Sequence, residues 1–368
     1  MIRVLIVDDS AFVRKILKNE LLKYDDIEVI GEAADPYAAR EIIAENKPDV
    51  ITLDIEMPRM DGITFLEKLM KYYPIPVIIV SSVTAQNRDL ILKAMNLGAI
   101  EVINKAGSQY SLPDTIRLIK AIKNASLINI EKMNYTAEIN HDSNIIKVKN
   151  TGLQDKTNNY QASLQNVPAL QTTDKLIAIG ASTGGTKALE IVLAGLPADV
   201  PAVLIVQHMP EGFTESFAKR LDSICSLHVK EAADGDYLVS GTAFIAPGNK
   251  HMVLARSGAR YYIKIKDGPH VHHQKPSVDV LFHSVSRNAG PNAVGVILTG
   301  MGADGASGML EMHESGSYNI AQDEQSSVVF GMPKEAIKLG AADEVAALDK
   351  IAGKIVTAVE KIKKQSDN

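Results

Sequence analysis

Along the 368-residue chain the spacing of apolar positions changes repeatedly, and the changes fall into two series separated by a polar stretch. In the first, from Met1 to about Lys123, short aliphatic runs alternate with segments whose apolar residues return every three or four positions. The runs Val4–Val7, Val29–Ile30, Val50–Leu53, Val77–Val80 and Ile100–Ile103 are short and continuously apolar, which predicts five strands of a buried parallel sheet. Ala11–Leu22, Ala38–Glu45, Thr64–Lys71 and Arg88–Leu97 read as amphipathic helices covering its two faces.

The second series opens at Lys175. Leu176–Ile179, Ala202–Val206, Leu227–Val229, Thr242–Ala246, His251–Leu254, Tyr261–Ile265, Val294–Leu298 and Tyr318–Ala321 are its strand candidates, and Ala346–Lys363 is a closing amphipathic helix. The three strands from Thr242 to Ile265 alternate at hairpin spacing, which predicts an antiparallel ribbon inserted in a mostly parallel sheet. Between the two series lie NYTAEINHDSN and TGLQDKTNNYQASLQN, rich in Asn, Gln, Ser and Thr, which is linker composition. Within that stretch only short apolar pieces such as Ile145–Val148 offer anything to dock. The expected organisation is therefore an α/β domain over 1–123, a linker over 124–173, and a second, mostly parallel doubly wound α/β domain over 174–368.

Composition adds exclusions. A net charge of −5 with no long basic run argues against broad electrostatic binding to nucleic acid. The single cysteine, Cys225, excludes an intramolecular disulfide framework and a cysteine-based zinc site. MIRVLIVDDS carries too short an apolar run for a signal peptide or membrane span, so a cytoplasmic protein is expected.

Ligands of parallel sheets gather at the carboxyl ends of the strands. There the first series places Asp8 and Asp9, then Asp54, then Ser81 and Ser82, and finally Lys105. Clustered carboxylates repel one another unless a hard divalent cation sits among them, and Mg²⁺ suits one or two carboxylates completed by water, backbone oxygen and phosphate. Lys105 and a hydroxyl can bind phosphate oxygens. Taken singly, each residue reads as well as a cap or a solvated charge. Four strand ends with complementary chemistry point instead to phosphoryl transfer.

In the second series LIAIGASTGGTKALEIVL, from Leu176 to Leu193, reads as strand, glycine-rich turn and helix, with Ser182 at the corner. Gly180-Ala181-Ser182-Thr183-Gly184 is formally a G-x-S-x-G string, yet by itself Ser182 reads more readily as a helix cap than as a nucleophile. Two further strand ends bear on the choice. Ala202–Val206 runs into Gln207-His208, with Pro210 as a first helical residue, and Val294–Leu298 runs into the glycine-rich TGMGADG containing Asp304. A serine needs a neighbouring base, an imidazole supplies one near neutral pH, and a carboxylate fixes its tautomer. Ser182, His208 and Asp304 have those chemistries, although His208 alone reads equally as a structural histidine. The chain order Ser, His, Asp differs from that of α/β-hydrolases. His270, His272 and His273 lack a carboxylate at obvious ligand spacing, so they are expected to form a loop flanking the cleft rather than a zinc site.

Residues 1 to about 123 resemble a response-regulator receiver domain, a flavodoxin-like five-stranded fold, through Asp8-Asp9, Asp54 in LDIEMPRMDG, Ser81 and Lys105. The resemblance implies that Asp54 takes a phosphoryl group from a histidine kinase, with Mg²⁺ held by Asp8, Asp9 and Asp54, and Ser81 and Lys105 as switch residues. Ala106 stands where such domains usually have proline, and Val102 at the usual aromatic switch position, so the shift is expected to run through backbone and Ser81. Residues 175 to about 365 resemble the catalytic domain of the chemotaxis protein-glutamate methylesterases, the CheB family, through IGASTGG, VQHMP, KPSVDVLF and LTGMGADG. That resemblance implies hydrolysis of γ-glutamyl methyl esters on chemoreceptors, and deamidation of receptor glutamines, by Ser182, His208 and Asp304. It also implies an oxyanion contact from the Met301 backbone N–H and a positioning role for Thr183. His272-His273-Gln274 replaces a more basic string common in the family.

Two other readings compete. IGASTGG also resembles a dinucleotide-binding turn, and Tyr262 to Lys266 supplies a Y-x-x-x-K string, but that string alternates like a strand and the second strand ends in Gln207-His208 rather than an acidic ribose ligand. A regulator whose output is binding would keep the receiver and use Ser182 as a cap.

Overall fold

The computed structural model describes residues 1–82, 88–105, 112–128 and 175–366. Ala106, Ile145–Val148 and most of the expected linker lie outside the described residues.

The N-terminal sheet contains β1 (Ile2–Val7), β2 (Ile27–Ala33), β3 (Val50–Leu53), β4 (Val77–Ser81) and β5 (Glu101–Asn104) in the order β2-β1-β3-β4-β5, all parallel. Helices α1 (Ala11–Leu21), α2 (Pro36–Asn46), α3 (Gly62–Tyr72), α4 (Arg88–Asn96) and α5 (Leu112–Ala125) connect and flank these strands. Their starts follow the side chains that satisfy free helix amides. Ser10 accepts from Val13 N, Asp35 from Tyr37 N and Ala38 N, and Asp61 from Thr64 N. Every residue of β3 and β4 is buried, as expected of strands covered on both faces.

The C-terminal sheet has seven strands: β6 (Leu176–Ala181), β7 (Ala202–Gln207), β8 (His228–Glu231), β9 (Thr242–Ile245), β12 (Ala293–Ile297), β13 (Tyr318–Gln322) and β14 (Glu344–Ala346). Their order is β14-β13-β12-β6-β7-β9-β8, and every pairing is parallel. Helices α6 (Gly185–Ala194), α7 (Thr214–Ile224), α8 (Val278–Asn288), α9 (Ala306–Glu314), α10 (Met332–Lys338) and α11 (Leu348–Ser366) cover it. The strand β6, wholly buried, lies between β12 and β7, so the loops after these three strands emerge side by side.

Two expectations need correction, and one strand was not anticipated. The antiparallel ribbon consists of β10 (His251–Ser257) and β11 (Arg260–Lys266) alone, forms a sheet of its own, and turns at Gly258, whose φ is +59°. Thr242–Ile245 instead pairs in parallel with β7 and β8, and all four residues are buried, so their short run carried no alternation that could tell a two-sided strand from a ribbon strand. Helix α7 begins at Thr214 rather than Pro210, because Gly212 has a φ of +85° and breaks the path. The edge strand β14 has three residues, too few for a readable period.

The two sheets meet through apolar packing. Helix α4, with Ile91 and Leu92 buried, packs against α6 and α7, and one apolar cluster runs from the first domain into the second.

Candidate active site and phosphorylation site

Ser182 stands one residue past β6, where its N–H donates to Thr299 O at 3.0 Å and its carbonyl accepts Gly185 N at 2.7 Å. Helix α6 is capped by Gly184, at a φ of +77°, without any side-chain hydrogen bond. The hydroxyl of Ser182 makes no hydrogen bond to any described residue, so the capping role that the sequence offered for it is not taken. Close approach requires glycine around this corner. A Cβ on Gly185 would lie 2.2 Å from Gln207 Oε1, and one on Gly180 would lie 2.2 Å from Val278 Cγ1.

The register that pairs Ala181 with Gln207 puts His208 beside Ser182, and His208 N donates to Ala181 O at 3.1 Å. Gln207, itself buried, donates its amide to Ser182 O at 2.9 Å and to His208 O at 3.2 Å, tying the two segments together. The imidazole Nε2 of His208 lies 2.7 Å from Asp304 Oδ2, with only 4% of the histidine side chain exposed. Its other ring nitrogen, Nδ1, is buried without a partner.

Asp304 sits at the N-terminus of α8. Its Oδ1 accepts from Ser277 Oγ at 2.8 Å and Asp279 N at 3.0 Å, while Oδ2 accepts from Val278 N at 2.8 Å as well as from His208. Burial acts to raise its pKa, but the bonds from His208 and the two amides outweigh burial and hold the carboxyl below the usual range. A second histidine–carboxylate pair adjoins it: His272 Nε2 lies 2.9 Å from Asp279 Oδ2. Thus His272 does have a carboxylate partner, seven residues on, which spacing alone did not reveal. Burial raises the pKa of Asp279, with a further push from the charge of Asp304. Cys225, its pKa pushed up to about 11 by burial, is a poor nucleophile.

The loop after β12 passes the serine. Gly300 N donates to Val329 O, and Gly300 O accepts from Gly331 N and Met332 N. The N–H of Met301 makes no hydrogen bond to any described residue. Thr299 stitches the region together, its hydroxyl donating to Thr183 O at 3.0 Å and accepting from Val329 N at 2.9 Å. Thr183 is half-buried, and its hydroxyl makes no hydrogen bond to His208.

At the carboxyl end of the first sheet, the pairing of Val7 with Leu53 brings Asp8 beside Asp54, and Lys105 N donates to Ser81 O at 3.0 Å. Lys105 Nζ lies 2.6 Å from both Asp8 Oδ2 and Asp54 Oδ2. Asp8 and Asp54 are buried whereas Asp9 is exposed, and acceptor atoms of the three lie within 4.8 Å of one another. Burial raises the pKa of Asp8 despite Lys105; burial acts to lower that of Lys105, but Asp54 and Asp8 together raise it. Three converging carboxylates with one cation among them fit a site for Mg²⁺. Ser81 and Val102 are both buried.

The two halves of the chain each match a known family. Residues 177–355 match the CheB methylesterase family and residues 4–117 the response regulator receiver domain. The chain is 54% identical over 359 residues to protein-glutamate methylesterase/protein-glutamine glutaminase 2 of Syntrophus aciditrophicus, covering 97% of this chain and 99% of that protein. It is 51% identical over 362 residues to protein-glutamate methylesterase/protein-glutamine glutaminase 3 of Geobacter metallireducens, covering 96% and 98%. The chain belongs to the CheB methylesterase family.

Within this CheB methylesterase, sequence reasoning reached the candidate residues at strand ends and missed those that hold them. Gln207, Thr299 and Ser277 were passed over, although each lies inside or beside a string singled out for other reasons. Their signal was weak because a buried amide or hydroxyl announces itself only through its partners, which are distant in sequence. Among the described residues no helix is long and apolar enough to cross a membrane.

Proposed function

We propose that this chain is a phosphorylation-controlled esterase that removes methyl groups from γ-glutamyl methyl esters of chemoreceptors and deamidates receptor glutamines at the same site. The observation that carries this reading is the His208 ring, held by Asp304 through Nε2 at 2.7 Å while its buried Nδ1 is left without a partner, at a strand end next to the one that carries Ser182. The Nε2–H tautomer that suits the carboxylate leaves Nδ1 as the proton acceptor.

The Ser182 oxygen attacks the γ-carbonyl as its proton passes to His208 Nδ1. The Met301 N–H receives the resulting oxyanion, beside the amides of the Ser182 turn. On collapse the imidazolium returns its proton to the departing methoxy or amino group, releasing methanol or ammonia. Water, deprotonated by His208, then cleaves the acyl-enzyme to free glutamate and Ser182. Asp304 keeps the imidazolium paired throughout.

Residues 1–123 form the regulatory unit, 124–173 the linker and 174–368 the catalytic unit. Asp54 accepts a phosphoryl group from a histidine kinase, and Ser81 and Lys105 receive its oxygens. Mg²⁺ held by Asp8, Asp9 and Asp54 would offset their charge and that of the phosphoryl group. Control through a lid is supported by Val328 and Val329. Both pack against the apolar cluster of residues 2–128, and Val328 is the side chain closest to a Cβ built on Gly184, in the turn that carries Ser182.

The test is methanol release from methylated receptor fragments. Ser182→Ala is expected to abolish it, and near-normal release by that variant would refute the serine mechanism.

A further inference from the structure

Asp304 is not held by α8 alone. The amide of Ser277, whose hydroxyl donates to Asp304 Oδ1, itself donates to His251 Nδ1 at 3.2 Å. The other nitrogen of that ring, Nε2, lies 2.9 Å from Pro269 O. His251 is 4% exposed, Ser277 0% and Asp304 1%, so these three residues are all buried.

The hydrogen bonds fix the chemistry of His251. A carbonyl oxygen only accepts, so Nε2 carries the proton. An amide N–H only donates, so Nδ1 offers its lone pair. One neutral tautomer alone satisfies both. The imidazole therefore clamps the backbone at Ser277 against the loop carrying Pro269. Ser277 is also the cap of α8, accepting from Val280 N at 3.4 Å, so its position sets where the amides of Val278 and Asp279 point. All four donors to Asp304 other than solvent are then His208 and three groups whose placement depends on Ser277.

We infer that His251 and Ser277 are positioning residues for hydrolysis: His251 Nδ1 fixes Ser277, and Ser277 with the start of α8 fixes the Asp304 carboxylate that orients His208. The inference rests on the triad reading above. His251 begins β10, outside every string that suggested the chemistry, and is hydrogen-bonded to none of Ser182, His208 or Asp304. Its influence is therefore on geometry at the reacting centre rather than on substrate binding, and loss of orientation there can cost about 100-fold in rate.

The experiment uses the full-length chain with Mg²⁺ and a small-molecule phosphoryl donor, and measures kcat and KM for methanol release per folded molecule, with thermal melting of each variant as control. Asp304→Ala, Ser277→Ala, His251→Ala, His251→Asn and the His251→Ala/Ser277→Ala double variant are compared. His251→Ala and Ser277→Ala should each lower kcat by about 10–100-fold while KM stays within about threefold. The double variant should be slower than Ser277→Ala, because Ser277→Ala keeps the backbone N–H that His251 Nδ1 holds and with it the placement of the Val278 and Asp279 amides. In His251→Asn the amide oxygen falls near the position of Nδ1 and can accept from Ser277 N, so kcat should recover at least about tenfold over His251→Ala. If His251→Ala keeps wild-type kcat while Asp304→Ala is inactive, or if Asn fails to rescue, or if the double variant is no slower than Ser277→Ala, the inference is wrong and the triad stands. If Asp304→Ala itself retains turnover, the triad reading falls first.

Discussion

His208 and Asp304 share a hydrogen bond of 2.7 Å at Nε2, and Nδ1 of the same ring is buried without a partner. In the proposed triad the ring would thus be used in the orientation opposite to that of the chymotrypsin triad, where Nδ1 faces the carboxylate. Asp304→Asn should expose this dependence. The asparagine amide would donate to Nε2, place the imidazole proton on Nδ1 and so block acceptance from Ser182. A loss in kcat of about 10²–10⁴-fold is expected, smaller than that of Ser182→Ala, in a protein that still folds. A full-activity Asp304→Asn enzyme would show that the tautomer is not set by this contact.

Gly331 tests the oxyanion loop without touching a titratable group. A Cβ there would lie 2.7 Å from Gly300 O, 3.0 Å from Gly302 N and 3.1 Å from Met301 Cα, all of them backbone atoms that cannot rotate away. Gly331→Ala should displace the Met301 N–H and lower kcat by about 10–100-fold with little change in KM. Steady-state kinetics on methylated receptor fragments would decide; a raised KM at constant kcat would place the loop in substrate binding instead.

Lys105 is the only described cation within 4 Å of both Asp8 and Asp54. Lys105→Met leaves two buried carboxylates facing each other, and removal of one partner from a buried ion pair costs about 3–5 kcal/mol. The first domain should therefore melt lower without Mg²⁺ and recover more than wild type when Mg²⁺ is added. The pH dependence follows from Asp8. Its folded pKa is raised by burial, so the fold favours the protonated acid, and this contribution to stability is lost as pH rises through the folded pKa. Mg²⁺ should offset that loss at neutral pH and have little effect near pH 4. Equal Mg²⁺ stabilisation at both pH values would argue against a site built on Asp8.

The lid is tested with three proteins on one receptor substrate: full length, full length with a phosphoryl donor and Mg²⁺, and residues 170–368. A tethered domain remains at high effective concentration, so a weak contact suffices to cover the cleft. Residues 170–368 should be faster than the unphosphorylated full-length chain, and the donor should accelerate the latter only while Asp54 is intact. A donor effect surviving Asp54→Ala would sink this account.

Much of the molecule was legible in one dimension because buried parallel strands leave a strong local mark. Leu176–Ile179, Ala202–Val206 and Val294–Leu298 announced themselves as aliphatic runs, and in a parallel sheet whatever follows such a run stands at the ligand edge. Ser182, His208 and Asp304 could be named as candidates on that ground, as could Asp8, Asp54 and Lys105. Strand order was not encoded in any local period. That β12 rather than β8 neighbours β6 is a matter of which faces pack, and it alone puts Asp304 within reach of His208. The same holds for Thr242–Ile245, whose neighbours made it a central strand, and for Gln207, Thr299 and Ser277. Their hydrogen-bonding capacity is plain in the sequence, but a buried donor or acceptor must be paired, and only the folded chain decides with what.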